Sequence, residues 1–256
     1  TICRRMINDT QADFVAIWLA LFVILILGVV LKYALRNKTE AVRHIPLMVV
    51  AGSLLILEVV KQVYHIIDGD WNPWHIPLHF CSYFLVWYGV ALFSRGGIRQ
   101  TMYACSLNGG ILVSILLLIA PRMILHSATT DILGSFNHFH TFVYHVGVMA
   151  YSVWLIMLNV YHPNRQHVIR SVIFHTIFFF CTIAGAHIFH ENYTNVLYAD
   201  INLMENLRLS AGQFTYTCVL LLVGVIGISI VANATYFVMN KLYQKHLNKQ
   251  KLTLEN

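Results

Sequence analysis

One cysteine and several histidines of this chain lie in strongly apolar surroundings. Cys81 lies near the end of a polar run from Trp71 to Ser82. A second, histidine-rich run extends from Phe136 to His145. Ionisable groups are costly inside a bilayer, so their presence there indicates a functional site. A thiol among imidazoles suggests nucleophilic chemistry, in which a thiolate attacks and a histidine moves the proton.

Helix geometry restricts which histidine can serve Cys81. We expect a helix over residues 76–93, with Pro77 in the first turn, where proline is tolerated. His79 would then lie roughly 200° around that helix from Cys81, so it cannot easily act as the base. The base is therefore expected on another helix.

The second run predicts two stripes on one helix. His138 and His145 are seven residues apart on one face, and His145 falls about 10 Å below His138, near the predicted level of Cys81. His140 and Tyr144 form the other stripe, turned away by roughly 160° and nearer the interface. We expect His138 and His140 to touch lipid headgroups, and this interpretation is slightly favoured over a catalytic role for the two residues.

A third polar stripe is predicted on helix two. Glu58, Lys61 and His65 are spaced three and four residues apart, which places them on one face. Glu58 and Lys61 can pair there, and such a pair must face protein or water rather than lipid. Two interpretations stay open, a buried pair that fixes packing and a direct role in a site.

Composition indicates the elements that position these residues. The chain is 58% hydrophobic and 11% charged, against about 25% charged residues in a soluble domain. We predict an all-α polytopic membrane protein with a single domain over residues 1–256 and seven transmembrane helices. The predicted spans are residues 14–31, 45–66, 76–93, 102–120, 139–160, 168–189 and 214–238.

The sequences of the first and fourth spans indicate more than membrane crossing. Residues 14–31 are interpreted as a retained helix rather than a secretory signal peptide, because no small-residue cleavage site follows. In helix four, Asn108-Gly109-Gly110 suits either close packing against a neighbour or a broken helix, and we expect packing.

The net charge of +6 indicates orientation rather than a nucleic-acid partner, because the basic residues lie mostly at helix ends. Eleven fall on one side: Arg36, Lys38, Arg43, Arg95, Arg99, Arg165, Arg170, Lys241, Lys245, Lys249 and Lys251. Four fall on the other: Arg4, Arg5, Arg122 and Arg208. The bias predicts an outer N-terminus, a cytoplasmic C-terminus and outer placement of the long connections 121–138 and 191–213.

The other cysteines do not indicate a disulfide or metal site. The chain has five cysteines and no CxxC pair, so neither a disulfide framework nor a zinc ribbon is expected. Cys105, Cys181 and Cys218 are interpreted as packing residues. No HExxH motif is present, and we predict no cofactor and no metal.

Two short motifs, Pro77-Leu78-His79-Phe80-Cys81 and Tyr144-His145-Val146-Gly147, with Asn192-Tyr193 further on, resemble the YwaF-like bacterial integral membrane proteins. These proteins are related to transmembrane protein 164 of animals. The resemblance covers helix two to helix seven. It implies a seven-helix fold in the cell membrane and a cysteine-dependent lipid acyltransferase, with Cys81 as nucleophile and His145 as base. His138 and His140 remain alternatives for the base.

The implied reaction transfers an acyl chain from a phospholipid to a lysophospholipid through a thioester. A buried thiol is normally inert, so Lys61 or His65 is expected to activate Cys81. Asn192, Tyr144 or backbone amides are candidate donors to the oxyanion. The predicted supporting residues are Glu58, Lys61, His65, His79, His138, Tyr144 and Asn192.

Two other functions compete with acyl transfer, besides hydrolysis by the same site with water as acceptor. One is a zinc-dependent membrane hydrolase that uses outer histidines and a carboxylate. Its candidate ligands are His65, His79, His138 and His145, with Glu58 or Glu191. The other is a transporter or lipid-binding protein, because intramembrane ionisable residues also mark ion pathways.

Overall fold

The chain folds into helices throughout the residues that the structure, a computed structural model, describes: 2–125, 132–199 and 202–255. Helix makes up 85% of it, and no strand is found in these ranges. The α-helices are α1 Ile2–Leu35, α2 Glu40–Asp68, α3 Tyr83–Phe93, α4 Gly96–Ile119, α5 Arg122–Leu125, α6 Phe136–Met157, α7 Arg165–Phe189 and α8 Asn202–Glu255. Short 3-10 turns occupy Pro73–His75, Phe80–Ser82 and Tyr193–Asn195. The all-α prediction is confirmed.

Six described helices are long and apolar enough to cross a membrane: α1, α2, α4, α6, α7 and α8. The third predicted span, residues 76–93, is wrong as a continuous helix. Its α-helical part, α3, has only 11 residues, which is about 16 Å of a hydrocarbon core of about 30 Å. The cause is Pro77, which disfavours helical backbone at the preceding residue. Ile76 accordingly has φ −61° and ψ 133°, and His79 is extended again at φ −70° and ψ 151°.

The helix α4 lies at the centre of the bundle, where it packs against α3, α6, α7 and α8. Its glycines permit this close approach, since a Cβ atom on Gly110 would lie 2.0 Å from the Ser152 Oγ of α6. Beside it, Asn108 donates a hydrogen bond to the Ser171 Oγ of α7 at 2.9 Å. The predicted packing role of Asn108-Gly109-Gly110 is confirmed.

The predicted loop 191–213 is partly helical. The helix α8 begins at Asn202 and breaks at Gly212, whose φ of 84° and ψ of 162° are open to glycine but strained for other residues. Residues 202–211 therefore form a separate helical segment ahead of the last span. A large part of the other predicted loop, residues 126–131, lies outside the described residues.

The bundle has two ends that differ in charge. We call the end at which α2, α4 and α7 begin the basic end, since the eleven basic residues predicted on one side belong to it and to the end of α8. We call the opposite end, where α2 finishes and α3 and α6 begin, the cysteine end. Which end faces the cytoplasm stays a prediction.

Candidate functional site

The backbone around Cys81 is irregular. The segment of residues 69–82, called the Cys81 segment below, begins where Gly69 ends α2 in a left-handed conformation at φ 76°. It contains two 3-10 turns and no α-helix before Tyr83. Cys81 lies in the second turn and not inside a regular helix. The helical argument that placed His79 on the opposite face from Cys81 is therefore wrong.

Side chains from other elements satisfy the backbone of this segment. The carbonyl of Leu78 accepts a hydrogen bond from the hydroxyl of Thr182 at 2.9 Å. The Tyr83 hydroxyl donates to the Phe178 carbonyl oxygen of α7 at 2.6 Å and lies 3.3 Å from the Leu78 oxygen. The amide of Phe80 donates to the Thr194 Oγ1 at 3.0 Å, and the Tyr193 hydroxyl bonds to the carbonyl of Pro73. Irregular backbone at membrane depth is tolerated where protein surrounds it in this way. The segment is thus held by α3, α7 and the turn that follows α7.

A side chain of α6 forms a hydrogen bond with the backbone of Cys81. The Tyr144 hydroxyl donates to the Cys81 carbonyl oxygen at 2.9 Å. The thiol is half-buried, and the charges of Lys61 and Glu58 both act on it. Among the other described cysteines, Cys105 is buried in the core, as expected of a packing residue. Cys181 and Cys218 are exposed on the outer surface of the bundle, so their interpretation as packing residues is wrong.

A buried carboxylate organises the polar groups behind Cys81. Glu58 is 8% exposed, and its Oε1 lies 2.6 Å from the Lys61 Nζ and 2.7 Å from the Gln62 Nε2. Its other oxygen, Oε2, lies 3.2 Å from the His140 Nε2 of α6. The predicted pair of Glu58 with Lys61 is confirmed. A buried charge needs such partners, because an isolated one is strongly destabilised.

The placement of His140 at the lipid interface is wrong. His140 is 7% exposed and Tyr144 is 3% exposed, and their rings stack at a centroid distance of 5.7 Å. Both point towards α2 and the Cys81 segment, because the helix α6 packs its 140/144 stripe inwards against Glu58 and Cys81. His138, in the first turn of α6, is only half-buried.

His145 is buried as well, at 6% exposure. Its Nδ1 lies 2.7 Å from the Thr141 carbonyl oxygen of its own helix, and its ring makes an edge contact with Tyr144 at 5.6 Å. Tyr144 is therefore flanked by two buried imidazoles, of which His140 is the one that contacts Glu58.

His65 belongs to a neighbouring polar group at the cysteine end. It is fully buried, with Nδ1 at 2.7 Å from Asp70 Oδ1 and Nε2 at 2.8 Å from Asn137 Oδ1. Its ring stacks on His75 at 3.7 Å. Burial, reinforced by the ammonium of Lys61, lowers the pKa of His75.

The same group is the one set of described residues with metal-ligand spacing. Ligand atoms of His65, Asp70 and His75 lie within 4.8 Å of one another. A metal ion binds an imidazole in the plane of its ring, whereas these two rings are stacked with only 23° between their planes. Both nitrogens of His65 also have partners already. Of the histidines predicted for a zinc site, only His65 belongs to this group.

Two predicted supporting residues lie elsewhere in this end of the bundle. His79 packs edge-on against Trp74 at 4.3 Å and Tyr193 at 5.2 Å. Asn192 accepts hydrogen bonds from the amides of Leu197 and Tyr198 at 2.8 and 3.2 Å. Its amide therefore holds the turn after α7, and these contacts give no support to a role as oxyanion donor.

Sequence reasoning missed Gln62. Its Nε2 bridges Glu58 to the His75 carbonyl oxygen at 2.6 Å, and its Oε1 accepts from the Trp71 indole at 2.9 Å. The signal was present, because Gln62 is four residues after Glu58 on the same helix face. Asn137 and Thr194 gave no such signal, since their contacts join distant parts of the chain.

These features define an α-helical membrane protein that crosses the bilayer several times and holds a half-buried cysteine beside a charged cluster. The chain belongs to the TMEM164 family, whose family model matches residues 7–232. No curated protein and no solved structure matches it significantly.

Proposed function

We propose that this protein is a lipid acyltransferase of the cell membrane that works through a thioester on Cys81. Phospholipid is the acyl donor and lysophospholipid the acceptor. The observation that carries the proposal is the continuous set of contacts from the Cys81 backbone through Tyr144 to His140 and Glu58. The nucleophile agrees with what the resemblance to YwaF-like bacterial proteins implies.

The contacts favour His140 over His145 as the base. A catalytic imidazole is commonly oriented by a third group, often a carboxylate. His140 has such a partner in Glu58, at 3.2 Å. The Nδ1 of His145 lies 2.7 Å from the Thr141 carbonyl oxygen of its own helix. His145, the base that the resemblance implies, is the alternative to be tested against it.

The proposed reaction has two steps, formation of a thioester on Cys81 and transfer of the acyl chain to the acceptor. The imidazole removes the proton of the Cys81 thiol, and the sulfur attacks the ester carbonyl carbon of the phospholipid. A C–S bond forms, the ester C–O bond breaks, and the departing lysophospholipid oxygen takes the proton from the imidazolium. The hydroxyl of a second lysophospholipid then attacks the thioester, its proton passes to the imidazole, and the C–S bond breaks.

Lys61 supplies the positive charge of this site. Its ammonium is 14% exposed and pairs with Glu58 at 2.6 Å. In the proposed mechanism this cation stabilises the thiolate and the negative oxygen that develops during attack. Glu58 keeps the Lys61 ammonium in place.

The test uses purified protein in detergent with a fluorescent phospholipid and a lysophospholipid acceptor. We expect wild-type protein to transfer the acyl chain, Cys81→Ala to lose transfer completely, and Cys181→Ala, a variant of an exposed cysteine, to retain it. His140→Gln is expected to lower the rate by about 100-fold, and His145→Gln by less.

The outcomes separate the alternatives. Full transfer by Cys81→Ala overturns the thioester route, and a loss caused only by a chelator favours the zinc hydrolase. Release of free fatty acid without transfer makes the same site a hydrolase. A larger loss in His145→Gln than in His140→Gln returns the role of base to His145. Absence of turnover under every condition leaves a transporter or a lipid-binding protein.

A further inference from the structure

A cavity of about 420 Å³ opens at the basic end of the bundle. Its walls come from the first two turns of three helices: Glu40 and His44 of α2, Arg99 of α4 and His167 of α7. The first turn of a helix presents backbone N–H groups without helical partners and a partial positive charge. No side chain caps the first turn of α2 or of α4. Three positive helix ends thus converge on one space.

Arg99 adds a full positive charge to this wall. Its Nε is buried without a hydrogen-bond partner, and no ion pair to Arg99 is found among the described residues. A guanidinium is charged at every physiological pH and presents a planar set of donors that matches phosphate. Arg99 is half-buried, so its guanidinium is available to a ligand in the cavity while its Nε has no partner in the described part of the chain.

His167 faces the same cavity from another helix. It is 9% exposed, and its Nδ1 is buried with no hydrogen-bond partner. Buried polar nitrogens are hydrogen-bonded in the great majority of cases. Arg99 of α4 and His167 of α7 thus each bring an unpartnered nitrogen to one cavity. The Arg99 Nε is a donor, and the His167 Nδ1 is a donor in the tautomer that carries its proton there, so an acceptor bound in the cavity can satisfy both.

The one carboxylate of the lining, Glu40, does not fill that role. Its Oε1 lies 3.3 Å from the His44 Nε2 and 3.7 Å from the His162 Nε2. Glu40 is thus engaged by two imidazoles at its own wall. Its charge is also half-exposed to solvent, where it is screened.

We propose that this cavity binds a phosphate group that enters from the basic end. Its volume lies within the range of about 300–1,000 Å³ typical of small-ligand sites. Helix N-termini and an arginine together form a common phosphate site. The phosphate comes either from a lipid headgroup of the adjacent leaflet or from a soluble phosphate. This site is separate from Cys81, which lies at the other end of the bundle, and does not depend on the acyltransferase proposal.

Two probes distinguish the sources. Inorganic phosphate is titrated into the purified full-length protein by isothermal calorimetry, and phosphatidic acid is added to phosphatidylcholine nanodiscs and its binding counted by native mass spectrometry. We expect wild-type protein to bind one of the two with a single site. Binding of phosphatidic acid alone identifies a headgroup site, and binding of inorganic phosphate alone identifies a soluble ligand.

Arg99→Gln is expected to weaken binding at least tenfold, and Arg95→Gln, which alters an exposed arginine outside the cavity, to leave it unchanged. Failure of wild-type protein to bind either probe overturns the proposal. Equal loss in both variants also overturns it, because binding would then follow total charge. If Arg99→Gln fails to unfold cooperatively, His167→Gln decides, and unchanged binding in that folded variant overturns the site.

Discussion

At the scale of single residues, the surroundings of a side chain decide its chemistry. Cys81 and Cys105 have the same thiol, but Cys105 is fully buried in the apolar core, whereas Cys81 is only half-buried at its edge. Glu58 has two roles that substitution can separate. It balances the buried charge of Lys61, and it orients His140.

We predict that Glu58→Gln both destabilises the protein and lowers acyl transfer. The loss of the anion leaves Lys61 uncompensated, at a cost of about 3 kcal/mol or more, and His140 loses its partner. The double variant Glu58→Gln with Lys61→Met removes both charges. It should recover most of the thermal stability in detergent but not the activity.

The matched control is Glu205→Gln, which removes an acidic residue paired with Arg208 in the segment before Gly212. It should leave transfer unchanged. Recovery of activity together with stability in the double variant would reduce Glu58 to a packing role, the other interpretation that its spacing left open.

At the scale of elements, the Cys81 segment depends on side chains supplied by its neighbours. Each carbonyl that an α-helix would have satisfied internally needs an outside donor here. The Thr182 hydroxyl is the donor to Leu78, and the Tyr144 hydroxyl is the donor to Cys81. Tyr144 is therefore the side chain that acts directly on the backbone of the nucleophile.

We predict that Tyr144→Phe lowers stability by about 1–3 kcal/mol, the cost of an unsatisfied buried carbonyl, and acyl transfer by about tenfold. Thr182→Val is the matched control, since it removes the hydroxyl donor to the Leu78 carbonyl of the same segment and leaves the Cys81 carbonyl bonded to Tyr144. We expect it to lower stability by a similar amount and to retain transfer. Thermal unfolding and transfer rates of the two variants give the comparison. Equal losses of transfer would mean that the Tyr144 bond does not position Cys81.

The close approach of α4 to α6 leaves no room for a side chain at Gly110. Gly110→Ala would bring a methyl group to 2.0 Å from the Ser152 Oγ, so we expect destabilisation of about 1–3 kcal/mol from overpacking. Gly227→Ala, in α8, meets no atom within 4 Å and should be neutral or slightly stabilising. Thermal unfolding in detergent measures both. A neutral Gly110→Ala would show that α4 and α6 separate at little cost.

At the scale of the whole molecule, the sequence predicts what composition and single-helix spacing determine. Long apolar runs identified six spans, and the spacing of Glu58 and Lys61 placed them together on one helix. The sequence did not predict the irregular backbone of the Cys81 segment, because the hydroxyl donors that stabilise it come from α6 and α7, far away along the chain. The contact of His140 with Glu58 joins α6 to α2, and no periodicity within either helix shows which faces meet.

The charge asymmetry of the whole molecule predicts its orientation, with the basic end in the cytoplasm. Single cysteines placed at exposed positions of each end test this. A membrane-impermeant maleimide should label His190→Cys in intact cells, and Asn248→Cys only after lysis, with wild-type protein as the background for native cysteines. The opposite pattern would exchange the leaflets, so that Cys81 would draw its lipid from the cytoplasmic leaflet and the Arg99 cavity would open outside. Orientation thus determines which pool of lipid reaches each site.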